Sequence, residues 1–172
     1  MDQAALAALL DKQAITETLY RYARGWDRRD LGLLEGCFHA DAVVDQGGFQ
    51  GRAHDLMATW MGGTAHVLCM THMITNVLIE LQGDRAMSEA HFFAHHRRAA
   101  TKDDGERDWF IKGRYLDIHE KRDGVWKIID RTGVLDFEQL VDPTDVELQH
   151  VPIEGRGRYK PDDKLYAVLA KL

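Results

Sequence analysis

The chain predicts an α+β domain in which helices come first and a curved, mainly antiparallel sheet follows. Three observations predict it. Apolar residues recur at helical spacing through the first third of the chain. From His66 onward the texture changes to long runs rich in Val, Ile, Thr and Met. Those runs are punctuated by Gly83-Asp84, Asp103-Asp104-Gly105 and Asp123-Gly124, and the last is a strong hairpin signal. At 172 residues the chain is one ordinary domain with enough mass for a sizeable core.

The first helix is expected over Gln3 to Gly25, where Leu6, Leu9, Leu10, Ile15, Leu19 and Tyr22 share helical spacing. Gly25 is read as its terminator and Asp11 as a possible interruption. A second helix is expected from Asp30, a plausible N-cap, to Phe38, and a third from His54 to Met61 before Gly62-Gly63. Short strands flank Gly47-Gly48, from Ala42 to Asp45 and from Phe49 to Gly51. Four longer strands follow: His66 to Leu81, Ala86 to Arg98, Trp109 to Lys121 and Val125 to Phe137. On the third of these, Trp109, Ile111, Tyr115 and His119 share one face, and Phe110, Leu116 and Ile118 the other. Both faces read as covered, one by a helix and the other by a cavity or a neighbouring subunit. Residues 1–140 are expected to form the domain, and 141–172 a C-terminal extension that caps the cavity or makes an oligomer contact. Within it, Asp162 to Leu172 is expected to close as a short helix with Leu165, Val168, Leu169 and Leu172 on one face.

Composition narrows the function classes. The formal net charge of −6 offers no basic stripe to neutralise phosphates, which argues against a nucleic-acid partner. Cys37 and Cys69 do not make a disulfide framework and read as buried thiols in a reducing compartment. The N-terminus has no basic region followed by an apolar run, and no stretch approaches the length of a membrane span, so a cytoplasmic protein is expected. The nine histidines include no HExxH. His91 and His95 lie about 13 Å apart along a strand, too far to share one ion. No metal is expected. Nucleotide-binding glycine motifs and a nucleophile elbow are also missing.

Acid–base chemistry remains, with Tyr22, Asp27, His72, His91 and Arg131 as candidates. Each also has a structural reading. Asp27 fits a helix-end turn, the two histidines and Tyr22 fit a hydrogen-bonded core, and Arg131 fits a surface ion pair.

A pattern across the chain adds to this. Tyr20-Arg21-Tyr22-Ala23-Arg24-Gly25-Trp26-Asp27-Arg28-Arg29-Asp30, followed by Phe38-His39-Ala40-Asp41-Ala42, resembles the opening of SnoaL-like proteins of the nuclear-transport-factor-two-like superfamily. Thr71-His72-Met73-Ile74-Thr75-Asn76 resembles that family's histidine-bearing strand, and Asp123-Gly124-Val125-Trp126-Lys127-Ile128 its last hairpin. The resemblance runs from about Ala4 to Phe137. It is closest to the scytalone dehydratase-like group.

That resemblance implies a cone-shaped barrel, a typically trimeric assembly and cofactor-free lyase chemistry on a small cyclic or aromatic substrate. It places Asp27 and His72 as the acid–base pair, with Tyr22 as a further catalytic group five residues before the aspartate. His91 falls at the place of the group's second histidine. Trp26, Tyr115 and Arg131 fall near substrate-binding positions, with departures in residue type. Met57, Trp60, Met70, Phe92, Phe93 and Tyr115 are candidate cavity walls. The chemistry is plausible on elementary grounds. An imidazole accepts a proton at neutral pH, and a carboxylate on its other nitrogen fixes the tautomer. The same pair suits an isomerase or a carbon–carbon lyase of the deformylase type. A non-catalytic β subunit of a ring-hydroxylating dioxygenase shares the fold but is expected to lack the pair.

Overall fold

The computed structural model describes residues 2–144, 151–152 and 155–172. The chain opens with α1 (Gln3–Arg28) and α2 (Leu31–Glu35), followed by β1 (Phe38–Gln46), β2 (Phe49–Arg52) and α3 (Ala53–Gly63). A one-turn 3₁₀ helix leads into the long meander β3 (Val67–Gln82), β4 (Arg85–Arg98), β5 (Arg107–Arg122) and β6 (Val125–Val141). A short α4 (Lys164–Leu169) follows near the C-terminus.

The six strands form one sheet in the order β2-β1-β6-β5-β4-β3. All neighbours are antiparallel except β1 and β6, which run parallel. The sheet is therefore mixed but mainly antiparallel, as expected. Asp123 and Gly124 both have positive φ, 50° and 79°, the signature of a type I′ hairpin whose twist suits the flanking strands. Four register shifts bend the long strands, between Val67 and Cys69, Thr75 and Leu78, Lys112 and Gly113, and Ile118 and His119. The curl brings the inner face around α1 and α3, and the core lies between them.

Several expected boundaries move for identifiable reasons. α1 does not stop at Gly25 but continues to Arg28, where Arg29 takes the left-handed conformation at φ 50°. Gly25 serves contact with α2: a Cβ there would meet Leu34 Cγ at 2.6 Å. Asp11 does not interrupt the helix; its carboxylate accepts from Lys121 Nζ and Trp126 Nε1, each at 2.8 Å. α2 is shorter than expected because β1 already starts at Phe38, whose backbone aligns with Ile128 of β6. Cys37 is buried, while Cys69 on β3 is only half-buried.

The expected C-terminal helix forms over fewer residues. α4 forms, with Asp163 as its N-cap, but Val168, Leu169 and Leu172 are exposed in this chain. The tail is held by tyrosines and charges instead. Tyr159 donates its hydroxyl hydrogen to the Val67 carbonyl at 3.0 Å, and Lys160 N–H reaches Arg28 O at 2.9 Å. Asp30 accepts from Lys160 Nζ at 2.9 Å and from the Tyr166 hydroxyl at 3.2 Å. Residues 145–150 and 153–154 of the extension lie outside the described residues.

Close packing of the meander gives a stability prediction. A Cβ on Gly113 would sit 2.1 Å from the Val134 carbonyl oxygen and 2.9 Å from the Phe92 ring. Gly113→Ala should destabilise the fold by about 1–3 kcal/mol in urea unfolding. Gly105→Ala, with nothing within 4 Å of the added carbon, should leave the midpoint nearly unchanged. Equal effects would contradict the packing described.

Candidate active site

Asp27 occupies the last turn of α1, and His72 lies on β3 facing it. Asp27 Oδ1 accepts from His72 Nδ1 at 2.7 Å, and Oδ2 accepts from the His72 backbone N–H at 3.1 Å. A carboxylate oxygen only accepts, so Nδ1 carries the hydrogen and Nε2 is left for other work. Both side chains are largely buried, at 13% and 10% exposure. An acidic group at a helix C-terminus opposes the helix dipole, so its position needs outside support. The two bonds to one residue supply part of it. Arg29, two residues along the chain, supplies more by donating to the carbonyls of Thr64 and Val67 under the Tyr159 ring.

Two spaces meet at the pair. A cavity of about 500 Å³ lies inside the curl of the sheet, with Trp60, Met70, Phe92, Trp109 and Ile111 among its walls. Tyr22, Trp26, Tyr115 and His72 also line it. On the other side a groove of about 300 Å³ runs past Asp27 and His72 between Tyr20, Arg24, Arg28, Ile74 and Leu165. His72 lines both. The described part of the tail therefore borders the groove, through Leu165, and does not line the cavity.

Tyr22, Trp26 and Tyr115 come together at the cavity wall. Tyr22 and Trp26 are one helical turn apart on α1, with ring centroids at 6.2 Å, and Tyr22 meets Tyr115 edge-on at 5.6 Å. Phe92 stacks on Tyr115 at 4.4 Å. Burial first, then the neighbouring Tyr22 phenol, pushes the Tyr115 hydroxyl well above its ordinary value, so it stays protonated.

Two expected contacts fall elsewhere. Arg131 is neither at the surface nor at the cavity. It is fully buried on β6, donating from Nε and Nη2 to Asp117 of β5 at 2.7 and 2.6 Å. Burial disfavours its charge, but Asp117 more than offsets that and raises its pKa. Its guanidinium lies 4.0 Å from the Tyr22 ring centre and 4.1 Å from that of Tyr115. It supports the aromatic wall from behind. His91 points to the outer face of the sheet, 44% exposed and 3.8 Å from Glu89. Strand alternation is the reason, because Phe92 and Ala94 of β4 face the cavity. For the same reason Phe93 is not a wall residue; it stacks on Phe110 outside the cavity. Met57 is buried in the core among α3 contacts and is not a cavity wall.

The same alternation brings in His96, which sequence reading passed over. Its ring centroid lies 5.2 Å from that of His72, and it lines the cavity. Burial first, then the nearby His72, lowers its pKa to about 3. It is thus a neutral imidazole beside the pair, and its Nε2 has no hydrogen-bond partner among the described residues. The parity of β4 was the available signal. Among the described residues no cluster of His, Cys, Asp and Glu could hold a metal ion, and no helix is long and apolar enough to cross a membrane.

His96 carries a pH signature. Below pH 6.5 the unfolded chain takes up a proton at this residue, while the native state refuses it until about pH 3. Stability therefore falls as pH is lowered through that window. His119, also buried and held down to about 4, adds to the same limb. His96→Gln should flatten the acid limb of a stability–pH curve relative to the parent. A curve of unchanged steepness would show that residue 96 is solvated.

The comparisons agree with this architecture. The sequence matches the SnoaL-like domain over residues 7–132. No curated protein matches it. Among solved structures, it is similar to a putative scytalone dehydratase from Novosphingobium aromaticivorans. That match has 21% identity and a TM-score of 0.68, covering 80% of this chain and 91% of the other. It is similar to hexachlorocyclohexane dehydrochlorinase LinA-type3 from Novosphingobium barchaimii at 20% identity and TM-score 0.70, covering 81% and 96%. A protein of unknown function from Mycobacterium tuberculosis, at 22% identity and TM-score 0.65, extends the match to 96% of this chain and 88% of its own. With most of its length matched and the fold shared, the chain belongs to the SnoaL-like family of the nuclear-transport-factor-two-like superfamily.

Proposed function

We propose that this chain is a cofactor-independent lyase that eliminates a small leaving group, most simply water, from a cyclic or aromatic substrate. The observation that carries the reading is the 2.7 Å contact between Asp27 and His72 at the wall of a largely apolar cavity. The names of two structural relatives, a putative scytalone dehydratase and a dehydrochlorinase, point to elimination chemistry in those proteins.

The steps balance. Nε2 of His72 takes a proton from a carbon made acidic by a neighbouring carbonyl or electron-poor ring. The electron pair of the broken C–H bond forms the new double bond. The bond from the adjacent carbon to the leaving oxygen breaks, and the imidazolium returns its proton to that oxygen, so water departs. Asp27 holds the ring and stabilises the imidazolium. Tyr22, whose hydroxyl lies in the wall group, is a second candidate donor to the leaving oxygen. Trp26 and Tyr115 provide flat surfaces for a ring, and His96 supplies a neutral polar contact beside His72. Arg131 enters as a positioning residue behind Tyr22 and Tyr115.

Isomerisation uses the same first proton transfer without losing a group, and product analysis separates the two. A non-catalytic subunit has no use for a buried, doubly bonded Asp–His pair. The cavity's size suits a small hydrophobic partner molecule. We also propose a homotrimer in the cytoplasm. The outer face of the sheet leaves Met73, Leu78 and Phe137 exposed in the single chain.

His72→Ala and Asp27→Asn should each lower turnover by roughly 10²–10⁴-fold while leaving circular dichroism unchanged. Near-parental turnover in either folded variant would overturn the mechanism. Sedimentation should give a mass about three times that of the 19.6 kDa chain, and a monomer would remove the trimer.

A further inference from the structure

We propose that the side-chain amide of Gln46 is a second polar contact for the substrate, and that it selects rings bearing an oxygen substituent remote from the reacting carbon. This rests on the reading that the cavity is the substrate's site. Gln46 is the last residue of β1 and lines the cavity. Strands β6, β5 and β4 lie between β1 and β3 in the sheet. Gln46 and His72 therefore line the cavity from strands separated by three others.

The seat of this amide is built by two glycines. Gly133 of β6 lies beside it, and a Cβ there would come within 2.6 Å of Gln46 Cγ. Gly47 follows with φ +57°, and a Cβ on it would stand 3.0 Å from the Trp60 ring. Side chains at either place would push Gln46 or Trp60 from the wall.

The amide is also unsatisfied. Gln46 Oε1 is buried and has no hydrogen-bond partner among the described residues. A buried polar atom left unpaired costs stability, and a ligand that pairs with it recovers that cost. Rotation about the last side-chain bond presents either the oxygen, to a hydroxyl, or the NH₂, to a carbonyl or hydroxyl oxygen. A site that pairs a substrate hydroxyl discriminates strongly against the analogue that lacks it.

The cavity carries its own reporters, because Trp26, Trp60 and Trp109 line it. Tryptophan quenching by naphthalene, 2-naphthol and 2,6-dihydroxynaphthalene measures the value of each hydroxyl without requiring turnover. The parent should bind the diol roughly three- to tenfold more tightly than 2-naphthol. Gln46→Leu should erase that gain and leave 2-naphthol affinity within about twofold, whereas Gln46→Glu, which keeps an acceptor, should retain it. A gain that survives in Gln46→Leu, or is missing from the parent although all three compounds bind, overturns the role of Gln46 alone. Failure of all three to bind overturns the cavity reading and this inference with it.

Discussion

A single carboxylate that bonds twice to one residue joins the two elements on which the candidate site is built. Asp27 takes both the ring and the backbone N–H of His72, and in doing so it ties the end of α1 to β3. β3 is a terminal strand of the sheet, with one edge unpaired by another strand. An uncovered edge is a liability, and α1 lies against it. The same contact thus holds α1 against the sheet's last strand and, by placing the hydrogen on Nδ1, leaves Nε2 of the imidazole for other work. One hydrogen-bonded pair thus joins α1 to β3 and stands at the wall of the cavity.

A second buried pair supports the first from a distance. Asp117 and Arg131 lie side by side on β5 and β6 with no solvent exposure. Burying two charges is costly, and such pairs often stabilise less than apolar residues of the same size. What this pair does is local: the flat guanidinium lies under Tyr22 and Tyr115 and fixes the angle between them. Arg131 Nη1 and His119 Nδ1 have no hydrogen-bond partners among the described residues, and Ser88 accounts for only one nitrogen of His119. The polar interior beneath the aromatic wall is therefore incompletely paired among the described residues.

Much of this was legible in the residues, for reasons that differ by element. The meander announced itself through Val- and Ile-rich runs and the Asp123-Gly124 turn, which are local signals. Asp27 and His72 came from motif resemblance, since they stand 45 residues apart and no spacing rule joins them. Arg131 was misplaced because its burial depends on Asp117, 14 residues earlier on the neighbouring strand, and single residues do not reveal their cross-strand partners. His91 was preferred to His96 on motif position, although parity along β4 already separates them once Phe92 and Ala94 face inward. Gly25 looked like a helix end because its true reason, the close approach of Leu34, belongs to tertiary packing.

The clasp at the end of α1 has a consequence for the order in which the molecule matures. Asp30, three residues beyond Asp27, is gripped by Lys160 and Tyr166, 130 and 136 positions later. Tyr159 closes over Arg29 in the same stretch. A nascent chain therefore exposes its first helix early and receives the grip on it last. Long-range contacts of this kind form slowly. Until residues 159–166 are made, Asp27 has its partner strand but not its latch. A chain cut before Tyr159 would keep the residues of the sheet and lose the contacts that hold the end of α1 around Asp27.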